Sequence, residues 1–245
     1  MNSTQKVALV TGGSRGIGAG IVRRLAADGY TVAFTYNAST QPAQTLADDI
    51  TASGGKALAI HADSADAEAI HAAVKKTTEA FGRLDILVNS AGIYKMATVD
   101  EFPLSDFDRM LAVNVRAPFA AIQAASRVMG EGGRIITIGS MAGLKVGFPG
   151  AGVYGMTKTA VATMVRGAAI DLAKRGITVN NVQPGPTETD MTPGTGPMAD
   201  VIKGLVPLGR MGSPAEIADL VAYLVRPETS FITGASFTID GGMSA

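Results

Sequence analysis

The chain has 245 residues, 47% of them hydrophobic, and its 21 basic side chains are balanced by 21 acidic ones. That length can bury a large core without covalent staples, and the absence of cysteine excludes thiol catalysis and cysteine-based metal sites while fitting a reducing compartment. Balanced charge without a like-signed block argues against a nucleic-acid-binding face. The first apolar run, residues 7–10, is too short for a signal peptide and no later one would span a bilayer, so a cytoplasmic protein with no membrane partner is expected.

Short β-rich runs at residues 6–11, 31–36, 56–61, 86–89, 134–139, 178–183 and 236–239 alternate with segments of helical period at 17–28, 40–53, 65–81, 105–129, 154–174 and 214–224. Strand–helix alternation predicts right-handed crossovers and a doubly wound, parallel α/β sheet of about seven strands. No repeat or linker divides the chain, so one domain spans 1–245. The first strand runs into Thr11-Gly-Gly-Ser-Arg-Gly-Ile-Gly18 and then a helix. Gly12, Gly16 and Gly18 meet the needs of a Rossmann-like dinucleotide site: a tight turn, close approach of backbone to a pyrophosphate, and close packing of helix on strand. At the end of the second strand, where an NAD-selective site places an acid against the ribose 2′-hydroxyl, stand Tyr36 and Asn37. With no carboxylate there and with Arg15 available to a 2′-phosphate, NADP(H) is expected over NAD(H).

Further along, Ser140 follows the fifth strand, and Tyr154-Gly-Met-Thr-Lys158 opens a long helix. Residues four apart share a helix face, so the Lys158 ammonium is expected beneath the Tyr154 phenol, lowering its pKa toward a value at which a proton can move to or from a carbonyl oxygen. Alone, Tyr-x-x-x-Lys often marks only an exposed face; the rest of the chain gives it weight. Residues 184–204, rich in Pro, Gly and Thr, lie at the carboxyl edge of the sheet and read as the core of a mobile substrate lid over about 186–210, with Met191 and Met198 as an adaptable wall. His61 and His71 lack partners at metal-ligand spacing, so no metal site is expected. Small and apolar residues on more than one face of the 154–174 helix call for cover by other subunits.

Taken together, the glycine loop, Asp63, Asn89-Ser-Ala-Gly92, Asn114, Ser140, Tyr154 with Lys158, Pro184-Gly185 and Asp240-Gly-Gly242 resemble the short-chain dehydrogenase/reductase family over nearly the whole chain. The resemblance implies a catalytic tetrad of Asn114, Ser140, Tyr154 and Lys158, with Asn114 holding a proton-relay water, acting on a small carbonyl or alcohol substrate. It implies a cofactor cradle including Ser14 and Ile17 of the glycine loop, Asp63 at the adenine amino group, Asn89, Ala91 and Gly92 along the adenine ribose, and Pro184, Gly185, Thr187 and Thr189 around the nicotinamide. Lys158 would also hold the nicotinamide ribose, and a homotetramer would form through the long helix, its predecessor and the last strand. Ser90 replaces a common asparagine, and the spacing from Ser140 to Tyr154 is one residue longer than usual. Ketoacyl-carrier-protein reductases of the family tend to carry a docking cation where this chain has Glu131, although Arg175 is kept; like charge there disfavours an acidic carrier protein. Other segments, Val182-Gln-Pro-Gly-Pro186 among them, resemble a cyclic di-GMP-binding, biofilm-dispersing branch of the same family.

Overall fold

In the computed structural model, which describes residues 5–245, seven strands form one all-parallel sheet. Residues 1–4, part of the start read above as carrying no signal peptide, lie outside the described residues. The strands are β1 (Val7–Thr11), β2 (Thr31–Tyr36), β3 (Ala57–His61), β4 (Ile86–Asn89), β5 (Arg134–Ile138), β6 (Thr178–Pro184) and β7 (Ser236–Ile239). The helices are α1 (Gly16–Ala27), α2 (Thr40–Ala52), α3 (Ala67–Phe81), α4 (Leu104–Leu111), α5 (Ala117–Val128), α6 (Gly152–Leu172), α7 (Pro197–Leu205) and α8 (Pro214–Leu224). In space the strands run β3-β2-β1-β4-β5-β6-β7. The winding therefore reverses between β1 and β4, and the carboxyl ends of these two strands open a crevice of the kind that binds ligands in such sheets.

Both faces of the sheet are covered. One packs against α1, α2 and α8 through Ile21, Leu25, Leu46, Ile217 and Val221, the other against α3, α5 and α6 through Ile70, Val74, Ala121 and Val165. Strands β1, β4 and β5 are buried along their whole length, which is why they read as nearly continuous apolar runs rather than alternations. Among the described residues no helix is long and apolar enough to cross a membrane.

Two expectations are corrected. The segment 105–129 is not one helix: α4 and α5 are separated by a wide π-turn, Ala112–Arg116. Pro118 has no N–H to give to the carbonyl of Asn114 four residues back, so the regular ladder cannot continue there. The stretch 184–204, read as loose, contains most of α7, which starts at Pro197 after Gly196 at φ +96°. Proline is well suited to a first helical turn. Its apolar stripe of Met198, Val201 and Leu205 is too short to stand out beside the surrounding Gly, Pro and Thr.

Candidate active site

The floor of the crevice is backbone packed on backbone. Gly12, at φ +66°, turns the chain out of β1 so closely over the loop after β4 that a Cβ on it would lie 2.8 Å from Ala91 Cα. A Cβ on Gly18 would overlap the carbonyl oxygen of Gly12. These two positions need glycine for space, and Gly12 also for its left-handed backbone. Thr11 Oγ1 accepts the N–H groups of Ser90 (3.1 Å) and Ala91 (3.2 Å), and the Thr35 hydroxyl oxygen accepts that of Gly12 (3.0 Å), so three parallel strands fix the loop. Arg15, at the start of α1, is exposed, Ser14 is half-buried, and Ile17 packs on the core beneath.

Two of the four tetrad candidates, Asn114 and Tyr154, are tied into one network. The Asn114 amide clamps the backbone of Ile93: Oδ1 accepts its N–H and Nδ2 donates to its carbonyl, both at 2.9 Å. Nδ2 also donates to Thr157 Oγ1 (3.2 Å), whose hydroxyl donates to the Tyr154 carbonyl (2.8 Å) on α6. Both amide protons are thereby used, so a relay water would have to be held through Oδ1 or the backbone. Lys158 is buried and its ammonium donates to the Ile138 carbonyl of β5 (2.9 Å). A Cβ on Gly92 would lie 3.5 Å from Asn114 Oδ1 and 3.6 Å from Lys158 Nζ, so this glycine keeps the space beside both groups open. Ser140 caps the short turn Met141–Gly143, its Oγ accepting the Ala142 N–H (3.1 Å) while its hydroxyl lies at the Tyr154 phenol. That turn lies against α6, where a Cβ on Gly143 would meet Lys158 backbone at 3.0 Å and one on Gly155 would meet the Ala142 carbonyl at 2.9 Å. The longer spacing from Ser140 to Tyr154 is taken up in the loop between them, and the turn still docks beside Tyr154.

The electrostatics depart from the sequence reading. Burial pushes the Tyr154 phenol up to about 12, with the Ser140 hydroxyl offsetting part of the rise. Burial pushes Lys158 down to about 8. The cation does not win because Lys158 Nζ turns to the Ile138 carbonyl, 5.7 Å from the centre of the Tyr154 ring, while both groups lose their water. In this state Tyr154 is an acid that keeps its proton.

Around the rim, Asp63 accepts the Ala65 N–H (2.9 Å) and pairs with Arg109 (3.6 Å). Asn89 sends its amide across to Thr137 Oγ1 (3.4 Å), tying β4 to β5, so only the backbone that follows it borders the crevice. Tyr36 packs edge-on against His61 at 5.5 Å, and Asn37 beside it is exposed. Pro184 ends β6; Gly185 is so close to the last segment that a Cβ would lie 2.6 Å from Asp240 Cα. Asp240 accepts the N–H groups of Gly242 and Ser244, each at 2.9 Å, and these bonds hold its carboxyl below the usual range although burial opposes them. Thr187 donates to the Gly185 carbonyl (3.1 Å), and Thr189, bridged to Thr192, covers the glycine loop, 3.3 Å from where a Gly16 Cβ would be. Two residues escaped the sequence reading. Thr157 had a legible signal, a hydroxyl one turn from Tyr154; Tyr94, whose ring meets that of Tyr154 edge-on at 4.8 Å, had none.

The profile of a family described as enoyl-(acyl carrier protein) reductase matches residues 12–244. An Escherichia coli protein described as a cyclic-di-GMP-binding biofilm dispersal mediator is 46% identical over 242 residues, covering 99% of this chain and 98% of its own. A short-chain dehydrogenase/reductase from Serratia marcescens has a solved structure that superposes with a TM-score of 0.96 at 55% identity, covering 98% of each chain. A short chain dehydrogenase from Burkholderia cenocepacia, solved in complex with NADP, superposes at 0.97 with 49% identity over 100% of both chains.

Proposed function

The chain belongs to the short-chain dehydrogenase/reductase family, and from that premise we propose that it is an NADPH-dependent reductase of ketones or aldehydes, interconverting them with alcohols. The observation that carries this reading is the convergence of the half-buried Tyr154 phenol, the Ser140 hydroxyl beside it and a buried Lys158 cation next to the space kept by Gly92. The residues fit the cofactor. Gly12 and Gly18 clear a backbone cradle, Lys158 keeps two N–H donors beyond its bond to Ile138 for ribose hydroxyls, and exposed Arg15 with the neutral Tyr36 and Asn37 suits a 2′-phosphate. The NADP bound by the Burkholderia relative supports the same choice.

Bound NADPH supplies the hydride. Ser140 donates a hydrogen bond to the substrate oxygen and orients it, and Tyr154 gives that oxygen its proton. Lys158 then stabilises the phenolate left behind, and Asn114 holds Ile93 and Thr157 around the pair. A phenol raised to about 12 holds its proton at neutral pH, so the proton-donor form that reduction needs is the resting form. A free carbonyl compound fits better than a carrier-bound one, since Arg175 is committed to the Met129 carbonyl (2.8 Å) and Glu131 lies against Gly176. We further propose a cytoplasmic homotetramer, in which subunits cover apolar side chains such as Ile170 on α6 and the fully exposed Phe231 before β7.

The test is NADPH oxidation with a panel of ketones, aldehydes, diketones and a 3-oxoacyl thioester, comparing wild type with Tyr154→Phe. The Phe variant should lose turnover and keep NADPH affinity; a Phe variant that still turns over removes the assignment. The 46% identity to the biofilm-dispersal protein supports a second reading, cyclic di-GMP binding in the same crevice. Displacement of NADPH by cyclic di-GMP in an equilibrium titration would favour it, and indifference of the bound NADPH would exclude it.

A further inference from the structure

We propose that Asn181 of β6 is a positioning residue for Ser140: its amide, anchored on Ser236 of β7, is the plate against which Gly139 rests, and so fixes where the Ser140 hydroxyl points. This rests on the carbonyl-reductase reading and deepens it. Thr137, Asn181 and Ser236 are register partners on β5, β6 and β7, so their side chains share one face of the sheet. Gly139 follows on that face just beyond Thr137, and its N–H donates to the Val182 carbonyl of β6 (2.7 Å). A Cβ on it would lie 2.6 Å from Asn181 Oδ1 and 3.0 Å from Nδ2, so the amide covers the glycine directly. Gly139 is not among the left-handed glycines, and space alone asks for glycine there. The amide is itself held, Nδ2 donating to Ser236 Oγ (3.1 Å).

The cost of the amide argues that it serves the site. Asn181 is fully buried, and among the described residues no group donates to its Oδ1. A buried carbonyl oxygen without a donor is unfavourable, and an apolar side chain would fill the place without that penalty. What the amide supports is the last residue before Ser140, whose extended backbone leads into the Met141–Gly143 turn. That turn lies against β6 as well as α6. A shift of Gly139 is therefore passed directly to Ser140, whose hydroxyl lies at the Tyr154 phenol. Asn181 acts through the backbone of Gly139 and has no part in the proton transfer itself.

The experiment measures kcat and KM with the best substrate of the carbonyl panel for Asn181→Ala, Ser236→Ala and Ser236→Thr, each alone and combined with Ser140→Ala. NADPH affinity by fluorescence titration and thermal melting are followed alongside. Asn181→Ala should lower kcat about tenfold, within what misplacing a reacting group costs, with KM and NADPH affinity nearly unchanged. Combined with Ser140→Ala, the same substitution should change kcat by less than about twofold, because the group it positions is gone. Ser236→Ala, at an exposed place on the edge strand, should lower kcat about threefold, and Ser236→Thr, which keeps the hydroxyl, should not. Should Asn181→Ala fail to fold, the two Ser236 variants decide by the same comparison. A wild-type kcat in Asn181→Ala or in Ser236→Ala, or equal losses with and without Ser140, overturns the proposal while leaving the reductase reading intact. A wild type that reduces no member of the panel overturns both.

Discussion

Replacing Lys158 by Met should change how stability depends on pH, and the structure gives both the sign and the size. Lys158 has an ordinary pKa of 10.5 when unfolded and about 8 in the fold, because burial penalises its charge. Between these values the unfolded chain binds the extra proton and the folded one does not, so stability rises as pH climbs from about 8 to 10.5. As pH falls from 10.5 to about 8 that contribution is lost, and below 8 it changes no further. Each tenfold change in proton affinity is worth about 1.4 kcal/mol, so the full effect is about 3 kcal/mol. Tyr154 works the other way at higher pH: raised from 10.0 to about 12, it makes stability fall as pH rises through that window. Met keeps the length and shape of the side chain without its charge, and gives up the bond to the Ile138 carbonyl at a pH-independent cost of roughly 1 kcal/mol. The assay is urea unfolding of the cofactor-free protein at fixed protein concentration and ionic strength, from pH 7 to 10.5, for wild type and Lys158→Met. The stability advantage of Met over wild type should shrink by about 3 kcal/mol across that range, since every other titrating group is common to both proteins. Parallel curves would refute the reasoning, because they would mean that the lysine keeps its charge in the fold without penalty.

Other substitutions test separate parts of the site. Tyr36→Asp places a carboxylate beside the exposed Asn37 and should move the ratio of NADPH to NADH catalytic efficiency toward NADH by at least tenfold; a ratio that stays put removes Tyr36 from cofactor choice. Gly18→Ala drives a Cβ into the Gly12 carbonyl and should cost about 3 kcal/mol of stability with loss of cofactor binding; thermal melting and a fluorescence titration check both, and a variant of wild-type affinity would contradict the backbone cradle. Asn114→Ala strips Ile93 of both side-chain bonds and should cost about 2 kcal/mol, with a faster amide exchange at Ile93 that Asn114→Asp partly restores; exchange as slow as wild type would count against the clamp.

Much of the fold could be read because its strands are parallel and its inner ones are buried on both faces. Thr31–Tyr36, Ile86–Asn89 and Ser236–Ile239 coincide with the β-rich runs, and the helices between them depart by at most two residues, apart from the broken segment 105–129 and the unread α7. Local pattern failed where one residue overrode a longer periodicity. Pro118 is a single missing donor inside an otherwise helical segment, and α7 is a nine-residue helix whose flanks carry the composition of a loop. The glycine loop and Tyr154 with Lys158 were legible because their spacing is local. The protonation of Tyr154 and Lys158 was not, since spacing reports that a cation is near but not that β5 supplies a carbonyl to receive it. Nor was Tyr94, whose ring meets that of Tyr154 from a loop distant in the chain that the Asn114 amide holds in place.

The Thr11 hydroxyl that holds the Ala91 N–H joins residues 80 positions apart, and what it joins is the two sides of the crevice. A chain emerging from synthesis has made the glycine loop long before the backbone that forms its floor exists. The β1–β4 pair needs two full strand–helix excursions, through β2 and β3, to be laid down first, and pairings of such long sequence separation are slow to close. Cofactor therefore has nothing to grip during most of folding and cannot guide the early steps. It acts afterwards, on the finished sheet, adding to stability in proportion to the logarithm of its concentration over its dissociation constant. Supply of the cofactor would then govern how long the folded protein lasts and leave the speed of its folding unchanged.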